Sequence, residues 1–92
     1  MVGILRVEVV VPASQSLKDK RSVIKSLREQ LRGRFNIAVA EVEANDTWQR
    51  GALGMRTVGE DRQEVQGLLR QVAEWIRHTR LVDLVNIDED DW

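Results

Sequence analysis

Two segments with helical periodicity fix the order in which this chain can form helices and strands. Ser16 and Asp61 precede these segments, and each is followed three residues later by a carboxylate, which is typical of a helix N-terminus. The first helix is predicted to run from Leu17 to about Arg32 and to end through a left-handed Gly33. The second is predicted to end near His78.

Segments with the alternation of β-strands lie before, between and after these helices. Residues 4–11 place four apolar side chains on one face, Leu5, Val7, Val9 and Val11. Residues 35–43 predict a second strand, in which two sets of side chains compete for the core face. One set is Ile37 and Val39, and the other is Ala38, Ala40 and Val42. The sequence leaves that choice open.

The third predicted strand, residues 48–58, buries Leu53 and Met55 and turns Ala52, Gly54 and Arg56 away from the core. The fourth, residues 81–87, precedes an acidic tail, residues 88–92, which is expected to be mobile. The order β-α-β-β-α-β in 92 residues predicts a single α+β domain, a ferredoxin-like sandwich. Its four-stranded antiparallel sheet has the predicted order 4-1-3-2, with both helices on one face and the other face open.

Composition excludes several kinds of site. The chain has no cysteine and one histidine, His78, which is predicted to be exposed. The cysteines that disulfides and thiolate metal sites require are therefore absent, and the residues of a nucleophilic triad are not all available. No glycine-rich phosphate loop is present. No stretch approaches the ~18 apolar residues of a membrane span. We expect a cytosolic protein with no membrane contact, no cofactor, no metal site and no identifiable catalytic residue.

A basic stripe marks the first predicted helix. Five cations fall within a sector of about 80° beside its apolar face. They are Lys18, Arg21, Lys25, Arg28 and Arg32. Such a stripe is typical either of a solvated face or of a surface that contacts RNA phosphates. Because the predicted central strands carry no aromatic residue beyond Trp48, base stacking on the sheet is disfavoured, and recognition of RNA backbone or shape by the helix is the functional interpretation.

Lys20 lies among the apolar positions of the same helix, where an unpaired ammonium would be costly. Glu41 or Glu43 on the second strand is its predicted partner in a structural ion pair. A catalytic lysine–carboxylate pair is the alternative, and it would require a pocket.

The turn between the second and third strands combines a large aromatic side chain with charged and amide groups. Its candidate residues are Asp46, Trp48, Gln49 and Arg50. They either cap the turn and pack on their own sheet or contact a protein or RNA partner.

Four segments of the chain, taken together and in order, resemble one bacterial family. They are Ser-Leu-Lys-Asp-Lys-Arg at 16–21, Arg-Phe-Asn at 34–36, Ala-Glu-Val at 40–42 and Asp-Thr-Trp-Gln-Arg at 46–50. The chain resembles the YlxP-like proteins, a family of unknown function. The resemblance implies a ferredoxin-like fold and genes that lie among those for translation and ribosome-maturation factors. It implies no catalytic residue.

These observations favour a non-enzymatic binding module associated with RNA or with a ribosomal particle. The stripe is its predicted RNA-facing side, and the turn at 46–50 is a second contact. The alternative is a homodimeric interaction module that uses the open sheet face or an edge strand. The least favoured hypothesis is a small hydrolase acting on a nucleotide or tRNA substrate through Glu41 and Asp46.

Overall fold

The order of the elements follows the prediction. The structure, a computed structural model, describes residues 1–43 and 49–91. Its elements are β1 (Val2–Val10), α1 (Leu17–Arg34), β2 (Ala38–Glu43), β3 (Arg50–Val58), α2 (Arg62–His78) and β4 (Asp83–Asp91). Neither helix is long and apolar enough, over the described residues, to cross a membrane.

The four strands form one antiparallel sheet in the order β2-β3-β1-β4. This is the predicted order read from the opposite edge, so the prediction is confirmed. β1 and β3 occupy the centre, where β1 carries the buried residues Leu5, Val7 and Val9. β2 and β4 form the two edges.

Both helices pack on the same face of the sheet. A Cβ atom added to Gly3 of β1 would collide with Val65 of α2. A Cβ added to Gly51, which pairs with Val9, would lie 3.2 Å from Ile24 Cδ1 of α1. Because Gly3 and Val9 are separated by an even number of positions, they point to one face of β1, and both helices therefore cover that face.

The two helices begin where the sequence predicts. Ser16 Oγ accepts a hydrogen bond from the Asp19 N–H at 3.0 Å, and Asp61 Oδ1 accepts one from the Glu64 N–H at 2.8 Å. The Asp19 carboxylate in turn accepts from the Gln15 N–H. These bonds satisfy backbone donors that a helix start leaves without an intrahelical partner. α2 ends at His78, as predicted.

The predicted end of α1 at a left-handed Gly33 is wrong. The helix continues to Arg34, and none of the described glycines has a positive φ. Phe35 leaves the helix in an extended conformation, while its N–H still donates to the Leu31 carbonyl. Since Phe35 packs against the core, the chain turns out of the helix without a left-handed residue.

The core face of β2, which the sequence left open, belongs to Val39. This side chain is buried and Ile37 is packed against the core, whereas Ala38, Ala40 and Val42 are exposed. β2 begins at Ala38, three residues later than predicted. The predicted start of the third strand at Trp48 lies outside the described residues.

β4 differs from its prediction at both ends. It begins at Asp83 rather than at residue 81, and it continues through the acidic segment to Asp91, where the prediction placed a tail. Asp88 pairs with Arg6 and Asp90 pairs with Ile4 of β1, and the Asp91 carboxylate lies 3.2 Å from Arg62 Nε of α2. An edge strand tolerates exposed carboxylates because its outer side faces solvent.

Candidate nucleic-acid interface

The two flanks of α1 face different neighbours. On one flank, the guanidinium carbon of Arg34 lies 5.4 Å from the centre of the Trp75 ring of α2. On the other flank, Arg32 Nη2 donates a hydrogen bond to the Val39 carbonyl of β2 at 2.9 Å. The other members of the basic stripe share the angular sector of Arg32. The stripe therefore lies on the side of α1 that overlooks the β2 edge of the sheet.

Three cations of the stripe are exposed and form no ion pair with the described residues: Lys18, Arg21 and Lys25. α2 differs in part, because Arg70 is its exposed arginine without an ion pair to the described residues. Its Arg62 binds Asp91 and its Arg77 lies 2.8 Å from Glu74. Three charges of α1 are thus exposed without an ion pair to the described residues, whereas two of the arginines of α2 are paired within the fold.

The remaining two stripe residues are bound more closely to the protein. Arg28 is half-buried, and its Nε atom is buried without a hydrogen-bond partner in the part of the chain that the structure describes. A donor buried in this way typically costs about 1–3 kcal/mol. Arg32 is committed through Nη2 to the backbone of β2. The structure therefore divides the predicted stripe into three exposed cations without an ion pair to the described residues and two that are partly buried in, or bonded to, the rest of the protein.

The basic flank of α1 lies toward the β2 edge, which also carries the exposed Glu41, whereas the carboxylates at the end of the chain lie at the opposite edge of the sheet. α1 carries only two acidic residues, Asp19 and Glu29, and Asp19 is engaged in the helix cap. The five acidic residues near the end of the chain, Asp83 and residues 88–91, all lie on β4, the edge strand opposite β2. An anionic polymer would meet attraction along α1 and repulsion along β4.

Lys20 is buried, with 3% of its surface exposed, as its place among apolar positions predicts. Glu41 is exposed. The Lys20–Glu41 ion pair stays a prediction.

The turn candidates are only partly described. Asp46 and Trp48 lie outside the described residues, as does the side chain of Glu43. Gln49 and Arg50 are exposed, and the Gln49 carbonyl accepts a hydrogen bond from the Val11 N–H at 2.7 Å. This bond places Gln49 at the end of the central strand pair. A ligand-binding role for the turn stays a prediction.

The open face of the sheet contains a feature that sequence reasoning missed. A depression of about 470 Å³ is lined by β1, β2 and β3, with Ile4, Val42 and Arg56 among its side chains. Gly54 lies in this depression, half-buried beside Val42. Ala52 was predicted to be exposed, but only 2% of its surface is accessible. The short methyl group of Ala52 lies opposite the longer Glu8 side chain. Alternation predicted the face of Ala52 but not how its neighbours cover it.

The described residues offer no grouping of three or more His, Asp or Glu side chains that could hold a metal ion. His78, the single histidine, is exposed and hydrogen-bonded through Nδ1 to the Glu74 carbonyl.

Comparison with known proteins identifies the family. Residues 2–89 match the family described as "Protein of unknown function (DUF503)". The chain is also similar to the uncharacterized protein YlxP of Bacillus subtilis (strain 168), with 32% identity over 76 residues that cover 83% of each protein. These matches confirm the resemblance to the YlxP-like proteins, and the chain belongs to the DUF503 family of proteins of unknown function.

Proposed function

We propose that this protein is a non-enzymatic RNA-binding module, acting in the cytosol on RNA or on a ribosomal particle. The observation that supports this proposal is the flank of α1, where Lys18, Arg21 and Lys25 are exposed and unpaired among the described residues. Arg28 and Arg32 extend the same flank toward the C-terminal end of the helix.

The dimensions of the flank suit a nucleic-acid backbone. From Lys18 to Arg32 the helix rises ~21 Å, with cations every three or four residues. Lysine and arginine that neutralise phosphates release condensed counterions, which supplies sequence-independent affinity. Because the net charge of the whole chain is −1, that affinity must come from one surface rather than from the molecule as a whole.

Charge reversal tests the proposal. In the variant K18E/R21E/K25E, three exposed cations become carboxylates, which lowers the net charge by six. The matched control is R70E/R77E/R80E, which makes the same change in net charge at exposed positions on and after α2. The measurement is binding to labelled RNA and to purified ribosomal subunits, with circular dichroism to verify folding.

We expect the α1 variant to lose binding by at least 100-fold, since three phosphate contacts become repulsions, and the control to retain most of it. Equal binding by the α1 variant and the wild type, or no binding by the wild type at low salt, contradicts the proposal.

Self-association through the open sheet face is the second candidate function. It is favoured by Val42 and Val58, which are 52% and 75% exposed, and by the apolar depression beside Val42. The like charges along β4, and along the two copies of α1 that a β2–β2 contact would bring together, disfavour an edge-to-edge dimer. Sedimentation of the wild type and of V42E would test this candidate, which requires a concentration-dependent dimer that V42E abolishes.

We also propose that the chain is a single domain of the ferredoxin-like fold. The element order, the sheet order and the packing of both helices on one face support this assignment. An experimental structure in which either β-α-β crossover is left-handed would contradict it.

A further inference from the structure

The hydrogen-bonding phase of β3 determines which of its peptide groups face each neighbour. Met1 and Gly59 exchange two hydrogen bonds, each of 3.0 Å, and the Val11 N–H donates to the Gln49 carbonyl. Gly59 and Gln49 are therefore turned toward β1. Since this direction alternates along an antiparallel strand, the odd-numbered residues of β3 bond to β1 and the even-numbered residues face β2.

The same alternation shows which peptide groups of β2 point away from the sheet. Ala38 and Ala40 pair with Arg56 and Gly54, which are even-numbered residues of β3, and so they bond to β3. Val39 and Glu41 consequently point their N–H and C=O groups away from the sheet. The hydrogen bond from Arg32 to the Val39 carbonyl agrees with this direction.

The outward peptide groups lie next to the basic flank of α1. Arg32 joins the two features, because it belongs to the stripe and bonds to β2. By the alternation along β2, the Val39 N–H and the N–H and C=O of Glu41 turn away from β3, and Arg32 donates to the Val39 carbonyl. A ligand lying along this side of the molecule would meet cations on the helix and, on the strand, peptide groups that do not bond to β3.

We infer that the surface between the α1 cations and the β2 edge binds single-stranded RNA, with phosphates on the cations and base edges on the Val39 N–H and on the outward N–H and C=O of Glu41. The inference rests on the proposed RNA-binding function and adds the class of RNA and its orientation. In duplex RNA the Watson–Crick edges pair with one another, and the major groove is deep and narrow. Only unpaired bases can be turned toward the edge strand.

An added peptide strand fits this surface less well. Strand addition uses a continuous row of main-chain hydrogen bonds along the sheet edge. Here Arg32 occupies the Val39 carbonyl, and the register of β2 shifts between Glu41 and Glu43. Both features interrupt such a row. Single-stranded RNA does not need a continuous row of main-chain hydrogen bonds, because most of its affinity comes from its phosphates. Isolated donors and acceptors on the strand are sufficient to contact its bases.

The first experiment compares a mixed-sequence RNA of 12 nucleotides with the duplex that it forms with its complement, by fluorescence anisotropy. We expect the single strand to bind at least 10-fold more tightly. If both RNAs bind equally and K18E/R21E/K25E binds neither, the proposed RNA-binding function stands and this inference is wrong. If neither RNA binds the wild type, the proposed function itself fails.

The second experiment compares E41P with E41A. Proline removes the outward N–H of residue 41 without removing a bond to β3, and both variants remove the carboxylate. We expect E41P to bind the single strand about 3- to 10-fold more weakly than E41A, the effect of one hydrogen bond. Equal affinities would overturn the inference.

A measurement on the unmodified protein covers the case in which E41P does not fold. The single-stranded RNA should slow amide hydrogen exchange at Val39 and Glu41, and the duplex should not. Unchanged exchange at both residues in the presence of bound RNA overturns the inference. Slower exchange produced by a poly-glutamate peptide but not by RNA would identify an acidic peptide strand as the occupant and also overturn it.

Discussion

Gly33 lies inside α1 with helical neighbours on both sides, so its replacement tests how this helix ends. A Cβ atom built at Gly33 meets nothing within 4 Å, and its φ is not positive. Alanine is favoured over glycine in a helix interior by roughly 0.5–1 kcal/mol. We therefore expect G33A to raise the free energy of unfolding by up to about 1 kcal/mol in urea denaturation. A loss of stability would mean that Gly33 adopts the left-handed conformation.

Gly3 is the opposite case, because α2 packs directly on the β1 backbone there. An added Cβ would collide with Val65 and lie 2.9 Å from Leu69 Cδ1, and both side chains are fully enclosed in the core. Overpacking of this kind typically costs about 1–3 kcal/mol. We expect G3A to lower the free energy of unfolding by that amount, with G67A as its control, since a Cβ at Gly67 meets nothing within 4 Å. Wild-type stability in G3A would contradict the close packing of α2.

The N-caps make a prediction at the scale of whole helices. Ser16 and Asp61 each accept one hydrogen bond from the backbone of the first helical turn. Loss of such a cap costs about 1 kcal/mol, whereas glycine at the cap position costs only a few tenths relative to the natural residue. We expect S16A and D61A each to lower the free energy of unfolding by about 1 kcal/mol, and S16G and D61G to lower it less. Equal losses in the alanine and glycine variants would contradict the capping role.

Sequence predicted the helices better than the edge strands because helix signals are local. The caps, the periodicity and the start of α1 depend on residues within a few positions of one another. The extension of β4 depends on pairing of Asp88–Asp91 with β1 and on the contact between Asp91 and Arg62, which lies 29 positions away along the chain. An acidic segment has low strand propensity, so only the partner strand reveals its structure.

In the candidate site, too, the local features could be predicted from the sequence and the long-range ones could not. The angular sector of the five α1 cations follows from helix geometry, but which of them are exposed does not, since Arg28 is half-buried and Arg32 bonds to β2. The direction of that sector does not follow, because it depends on the contacts of Arg34 with Trp75 and of Arg32 with Val39. The outward peptide groups of β2 were missed for a related reason. Alternation of side chains does not show which neighbouring strand each peptide group faces.

At the scale of the molecule, the distribution of charge restricts how RNA would bind under the proposed function. The α1 flank lies toward the β2 edge, the acidic strand β4 forms the opposite edge of the sheet, and the net charge is −1. RNA affinity should therefore depend on salt only through the three to five cations of α1. At about 0.7 counterions per phosphate on a single strand, we expect the logarithm of Kd to rise with the logarithm of salt concentration with a slope of about 2 to 3.5.

This slope can be assigned to its residues by varying the salt for each charge-reversal protein. The single replacement K25E should lower the slope by about 0.7, because it removes one phosphate contact. R70E, an equal change of charge at an exposed position of α2, should leave the slope unchanged although it makes the net charge equally negative. If R70E lowers the slope as much as K25E does, RNA responds to the field of the whole molecule, and the α1 flank is an ordinary solvated helix face.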